Sequence, residues 1–287
     1  MLSPLKIETR LPEADIIDEV QFDISEYLID LSKPIIYTEP ILYFEIDGYT
    51  LPVFRQQGIS LIQGLEKARK SMLIQVITAT IANGGNFING GLFKSYYKKN
   101  DVLIIDTEQS EEDCRDALTA INKMIHNDHK VKYYTVKALG KKEILFLIEK
   151  HLQENPNCGY VVFDNVKDMV KDMNDTAGAT EFSNFIKQTT VKYDVHITCV
   201  LHENPSDSGK PRPKAGGHIG TTLSQKAEFV FSAKQDPEVD DRSIIFNILA
   251  RKKKIRPFFI AYDEENKVPK IFTEDYNTPK KTPPPRL

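Results

Sequence analysis

No run of about 18 apolar residues occurs in this 287-residue chain, so no membrane-spanning helix is expected. Cysteine is scarce, and Cys114, Cys158 and Cys199 stand far apart without a C-x-x-C pair. They read as reduced thiols and exclude a disulfide frame or a cysteine-based zinc site. The first residues, Met1-Leu-Ser-Pro-Leu-Lys6, lead into acids and lack the apolar core of a secretory signal, so a cytoplasmic protein is expected. A dominant charge is missing too: 38 Lys+Arg against 41 Asp+Glu leave a net charge of −3. Contact with nucleic acid would therefore have to come from local basic loops. No internal repeat is visible. The length suits one large α/β domain with extensions, or two small domains.

What is present is a strand, a loop and a helix in close succession. Gly58-Ile-Ser-Leu-Ile-Gln63 reads as a short buried strand. Gly64, Leu65, Glu66, Lys67, Ala68, Arg69, Lys70, Ser71 and Met72 follow, and an amphipathic helix runs from near Lys70 to Asn83. The loop fits the phosphate-binding pattern G-x-x-x-x-G-K-[ST], except that Arg69 stands at the second glycine. Such a loop aims backbone N–H groups and a positive helix end at a polyphosphate. Residues 64–72 are thus expected to cradle ATP, with Lys70 on the β/γ-phosphates and the Ser71 hydroxyl on Mg²⁺. The plainer alternative for this segment alone is a strand–turn–helix with a chance Lys-Ser pair.

Two later strands add acids. Asp101-Val-Leu-Ile-Ile-Asp106 leads into Thr107-Glu108, and Gly159-Tyr-Val-Val-Phe-Asp164 closes on an aspartate. Ligands of open α/β sheets bind at the carboxyl ends of the strands, so these acids face the same crevice as the loop. Glu108 is expected to polarise the attacking water and Asp164 to hold Mg²⁺ from opposite Ser71. Either acid alone reads better as a solvated strand end or a helix cap; three ordered strand-end motifs together favour the nucleotide site.

Periodicity predicts helices over 70–83, 111–126, 141–154 and 180–193. It predicts strands over 59–63, 102–106, 131–136, 159–164, 196–201, 228–234, 243–251 and 257–263. This alternation predicts an α/β fold, a mainly parallel sheet flanked by helices. The last three strands follow one another without helices and predict an antiparallel C-terminal extension. Ahead of the loop, helices are expected over Glu13–Val20 and Ile24–Leu31, and Gly48 marks a hairpin between Ile41–Ile46 and Tyr49–Phe54. The expected organisation is an N-terminal extension with a hairpin (1–55), an ATPase domain (56–265) and a disordered polar tail (266–287).

The motifs Asp106-Thr-Glu108-Gln109-Ser110, Val162-Phe163-Asp164-Asn165, Val200-Leu201-His202 and Gly217-His218-Ile-Gly220-Thr221 occur in that order. Together with the loop they resemble the RecA-like P-loop ATPases related to the hexameric helicase RepA, in the mobile-element and phage variants that carry arginine in the phosphate loop. The resemblance covers roughly residues 50 to 265. It implies a catalytic Glu108, a Walker-B Asp164 and a polar sensor at His202. It also implies that the loops over Asn165–Thr180 and Glu203–Gly217 grip single-stranded DNA, with Lys210, Arg212 and Lys214 tracking phosphates. A basic segment containing Arg251, Lys252, Lys254 and Arg256 would reach a neighbouring subunit's site in a homo-oligomer, a hexamer being favoured. For each basic run a merely solvated surface is the alternative. A nucleotide-switched scaffold and a recombination- or partition-type ATPase without unwinding activity both stay open.

Overall fold

The computed structural model describes residues 25, 28–35, 37–46, 48–84, 91–125, 130–172, 174–204, 214–250 and 254–273. The chain divides into two compact units, Met1–Tyr37 and Thr38–Leu287. In the first, the Asp30 carboxylate accepts from the backbone N–H and the hydroxyl of Ser32. That local turn competes with helix, and Leu28 to Leu31 form bends and turn instead of the expected helix. The helix expected over Glu13–Val20 lies outside the described residues.

The second unit begins with β1 (Pro40–Ile46), β2 (Tyr49–Arg55), β3 (Ile59–Gly64), α1 (Lys70–Asn83), β4 (Phe93–Lys94) and β5 (Asp101–Asp106). It continues with α2 (Glu111–Met124), β6 (Val131–Thr135), α3 (Lys141–Glu154), β7 (Cys158–Asp164), a 3-10 turn (Val166–Met169) and α4 (Thr176–Tyr193). β8 (His196–His202), α5 (Gly217–Lys226), β9 (Phe229–Gln235), β10 (Arg242–Ala250), β11 (Phe258–Asp263) and β12 (Val268–Phe272) complete it. Among the described residues these strands form a nine-stranded sheet in the order β12-β11-β10-β9-β3-β8-β7-β5-β6, and a smaller antiparallel sheet β2-β1-β4.

The parallel strands are buried runs because helices cover both faces. Alternation then splits each strand between two cores. Ile62, Val102, Ile104 and Val162 pack with Leu73, Ile77 and Ile81 of α1 and Ile121 of α2. Leu61, Leu103, Ile105 and Phe163 pack on the other face with Ile144 and Ile148 of α3, Phe182 of α4 and Leu223 of α5. α1 stops at Gly84, whose left-handed φ of 55° closes the helix. Ser110 caps α2, accepting from the Asp113 backbone N–H. No described helix is long and apolar enough to cross a membrane.

β9, β10 and β11 pair antiparallel in succession as expected, and β9 also pairs parallel with β3, which joins the extension to the parallel sheet. Several elements depart from the sequence reading. α4 starts at Thr176, four residues before the expected Thr180, because the Asp175 carboxylate caps it through the Gly178 N–H. α5 was not expected, since glycines crowd its first turn. β12 lies beyond the boundary at 266: it pairs with β11 and buries Val268 and Ile271. Its apolar residues are few enough to read as tail. A turn at 263–267, in which the Asp263 carboxylate accepts from the Glu265 and Asn266 N–H groups, folds it back. Residues 274–287 lie outside the described residues.

Candidate functional site

β3 delivers the phosphate loop to the carboxyl end of the sheet. Gly64 ends the strand against β9, where an added Cβ would stand 2.5 Å from the Ala233 carbonyl oxygen, so only glycine fits. Lys67 and Arg69 both adopt φ of 61°, a left-handed conformation uncommon outside glycine. Arg69 supplies no side-chain cap to α1, so the first N–H groups of that helix are left for another acceptor. The Lys70 ammonium turns back on the loop, donating to the carbonyls of Gly64 (3.1 Å) and Leu65 (3.0 Å). Burial pulls Lys70 below its ordinary range, while the carboxylates of Asp164, Glu108, Glu203 and Glu66 act in the opposite direction. Among the described residues, none of these acids lies within ion-pair distance of it.

His202, the last residue of β8, bridges the loop and β5. Its Nδ1 lies 3.2 Å from Lys70 Nζ, and its Nε2 lies 3.5 Å from Glu108 Oε2. Since an ammonium can only donate, Nδ1 accepts and Nε2 carries the proton toward Glu108. The Asn165 amide donates to the other Glu108 oxygen at 3.1 Å. The His202 contact, opposed by burial, holds the Glu108 carboxyl below the usual carboxylate range, so it is ionised at neutral pH.

Asp106 organises this turn from beneath. Fully buried, it accepts from the backbone N–H groups of Glu108 and Gln109, the Gln109 side-chain amide and the Tyr133 hydroxyl. The sequence reading passed over Asp106, Asn165 and Tyr133 as site residues. A strand-end D-x-E gives no sign of which acid is consumed internally. Glu203 was missed as well. Its buried carboxylate accepts from Gln63 of β3 and Ser232 of β9, tying three strands together beside Gly64.

Asp164 differs from both neighbours. No described donor bonds to its carboxylate. Burial, and then the charge of Asp106, push it up to about 7. The charges of Lys70 and His202 act in the opposite direction. No cluster of three or more His, Cys, Asp or Glu among the described residues could hold a metal by itself. The Ser71 hydroxyl and Asp164 instead form a sparse, hard oxygen set. That set suits a magnesium ion that brings phosphate and water as its other ligands. Lys70, Ser71, Glu108, Asp164 and His202 all line one cavity of about 440 Å³, together with Lys67, Arg69 and Met72. A second cleft of about 740 Å³ shares His202 and is lined by Lys167, Asn174, Glu203, Asn204 and Gly216.

Of the remaining expected residues, the described ones, Lys214, Lys254 and Arg256, do not line the cavity around Lys70. Lys214 is exposed and its carbonyl accepts from the Asn204 N–H; Lys210 and Arg212 lie outside the described residues. Lys254 and Arg256 are exposed, and Arg251 and Lys252 lie outside the described residues. The register pairs Ala250, the last residue of β10, with Phe229, the first of β9. Ala250 therefore lies at the amino end of the parallel strands, on the order of 20 Å from the phosphate loop.

A phosphate loop leading into α1, acids at neighbouring strand ends and a mainly parallel sheet with an antiparallel edge define a RecA-like P-loop ATPase fold. The chain belongs to the AAA_25 family of AAA domains, whose pattern it matches over residues 48–208. In structure it is similar to the ATPase domain of G40P, with a TM-score of 0.54 and 11% identity over 75% of this chain and 85% of that one. It is likewise similar to the RadB recombinase, with a TM-score of 0.52 and 12% identity over 75% of this chain and 90% of that one. No curated protein matches it in sequence.

Proposed function

We propose that this chain is a Mg-ATP hydrolase of RecA/RepA-like type. It assembles as a ring, a hexamer being favoured, and acts on single-stranded DNA in the replication or mobilisation of a phage or mobile element in the cytoplasm. One observation carries the hydrolase reading: Lys70, Ser71, Glu108, Asp164 and His202 converge on one cavity at the N-terminus of α1. In this reading Lys70 exchanges its loop carbonyls for the β/γ-phosphates, and the uncapped N–H groups of α1 take the remaining charge. Ser71 and Asp164 hold the magnesium ion, which screens the phosphate oxygens when bound. Glu108 accepts the proton of the attacking water; the oxygen bonds to the γ-phosphorus as the bond to the β-phosphate oxygen breaks. His202 touches both Lys70 and Glu108 and so registers whether the γ-phosphate is present.

The DNA reading draws on the second cleft. Lys167 and Asn174 come from one of the loops expected to grip DNA, Asn204 and Gly216 from the other, and His202 adjoins both cavities. Fold likeness to an ATPase domain and to a recombinase supports the class, and the process is our inference from the motifs.

Steady-state ATPase assays with and without single-stranded DNA, run beside a measurement of oligomer mass, test the whole reading. Lys70→Ala is expected to abolish ATP binding. Glu108→Gln is expected to keep binding and lose at least about a hundredfold in turnover. Unchanged nucleotide affinity in Lys70→Ala would refute the site. Wild-type turnover in Glu108→Gln would move the base elsewhere.

A further inference from the structure

Arg69 occupies the position that phosphate loops usually give to glycine, and it does so at a left-handed φ of 61°. An L-residue disfavours that conformation, so something must hold it there. The guanidinium reaches the neighbouring Asp241, with Nη2 2.8 Å from Oδ1. The Asp241 carboxylate is exposed, but the Arg69 end of the pair is not. The Arg69 side chain is only 17% exposed, and its Nε–H is shut off from solvent with no acceptor. Burying that donor without an acceptor costs free energy, which the Asp241 contact helps to offset.

The other end of the pair is firmly mounted. Asp241 closes the turn between β9 and β10, with a left-handed φ of 63° of its own. At the base of that turn the Arg242 guanidinium pairs with the buried Asp236 carboxylate, which also accepts from the Glu238 N–H. The Asp236 N–H donates to the Arg242 carbonyl, and the Arg242 guanidinium lies 4.2 Å over the Phe259 ring. β9 runs parallel to β3, so the turn emerges at the carboxyl end of the sheet, beside the phosphate loop.

We propose that Asp241 is a positioning residue for the nucleotide site: from the β9–β10 turn it holds the Arg69 guanidinium and so fixes the left-handed junction between the phosphate loop and α1. This rests on the cavity being a nucleotide site. A glycine at position 69 would need no such tether, and that fact supplies the test.

ATP affinity is measured with a fluorescent, non-hydrolysable ATP analogue. Amide hydrogen exchange over residues 65–71 is measured without nucleotide. Asp241→Ala is expected to weaken the analogue about two- to fivefold, the range of an exposed ion pair, and to speed exchange in the loop. Its kcat should stay within about twofold, because Asp241 touches no reacting atom. Asp241→Glu should restore most of both. In an Arg69→Gly background Asp241→Ala should change neither affinity nor exchange. An Asp241→Ala protein identical to wild type in both readouts overturns the proposal. So does an equal loss in the Arg69→Gly background, which would mean that the effect does not pass through Arg69. Wild-type protein that binds no analogue, yet shows the coupled exchange, overturns the nucleotide reading while supporting the tether.

Discussion

Asp164 ends β7 opposite Asp106 in the strand register, with Glu108 close by. Its carboxyl is raised from an ordinary 3.8 to about 7, mainly by burial. The folded chain therefore binds a proton that the unfolded chain releases. Stability from this group is fully present below about pH 3.8 and is lost as the pH rises through about 7. Asp164→Asn, close in shape but uncharged, is expected to raise the Tm of the ligand-free protein by a few degrees at pH 8. The gain should fade toward pH 4, and Mg-dependent turnover should be lost. An unchanged or lower Tm at pH 8 would mean that the charge is already compensated. Glu108 and Asp164 were legible because each follows or closes an apolar strand, and Lys70 because it stands beside Ser71 in the loop pattern. Asp106, Asn165 and Glu203 were not, because their work is to bond within the folded turn or to residues brought near only by the sheet. Asp241 is further still from view, since nothing near it in sequence points to Arg69.

The β1–β2 hairpin is fastened to the main sheet by a buried hydrogen-bonded chain. His196 of β8 stacks on Phe54 of β2 at 4.3 Å, and its Nδ1 lies 2.8 Å from the Arg55 carbonyl. That nitrogen must donate, so Nε2 accepts from the Ser60 hydroxyl. Ser60 in turn accepts from Thr198, which accepts from the Tyr160 hydroxyl, so every donor points the same way. Burial drives His196 down to about 3. Its stabilising contribution is thus complete above its ordinary 6.5 and is lost as the pH falls toward about 3. Thr198→Val keeps the shape but strands the buried Tyr160 hydroxyl and leaves Ser60 with His196 alone. It is expected to cost about 1–3 kcal/mol in urea unfolding, with KM for ATP unchanged. A smaller cost would mean that the chain rearranges around the loss. The hairpin itself was legible from Gly48 between two apolar runs, and the parallel strands from their burial pattern. β4, α5 and β12 were not, because short or polar elements stand on pairing partners that local sequence does not name.

Sheet direction decides what the basic segment between β10 and β11 can do. β10 runs against β9, so Lys254 and Arg256 follow at the end of the sheet opposite the phosphate loop of the same chain. From there Lys254 and Arg256 do not reach the cavity of their own chain, so a transition-state role for them would need a neighbouring subunit. The sequence marked the segment as basic, and its distance from the cavity comes only from the register of β9 and β10. If a neighbour supplies it, ATPase rate per chain should rise with protein concentration as rings form. Alanine at these positions should lower kcat without lowering ATP affinity, because the cation serves the transition state more than the ground state. Mixing that variant with Glu108→Gln chains sharpens the test, since each lacks a different half of a shared site. Some interfaces in mixed rings then unite an intact Glu108 with an intact basic segment. Those interfaces should regain activity that neither variant shows alone, as read by steady-state ATPase after subunits exchange. Full activity in a strictly monomeric protein, or no recovery on mixing, would make each chain a self-contained ATPase and leave the basic segment as solvated surface.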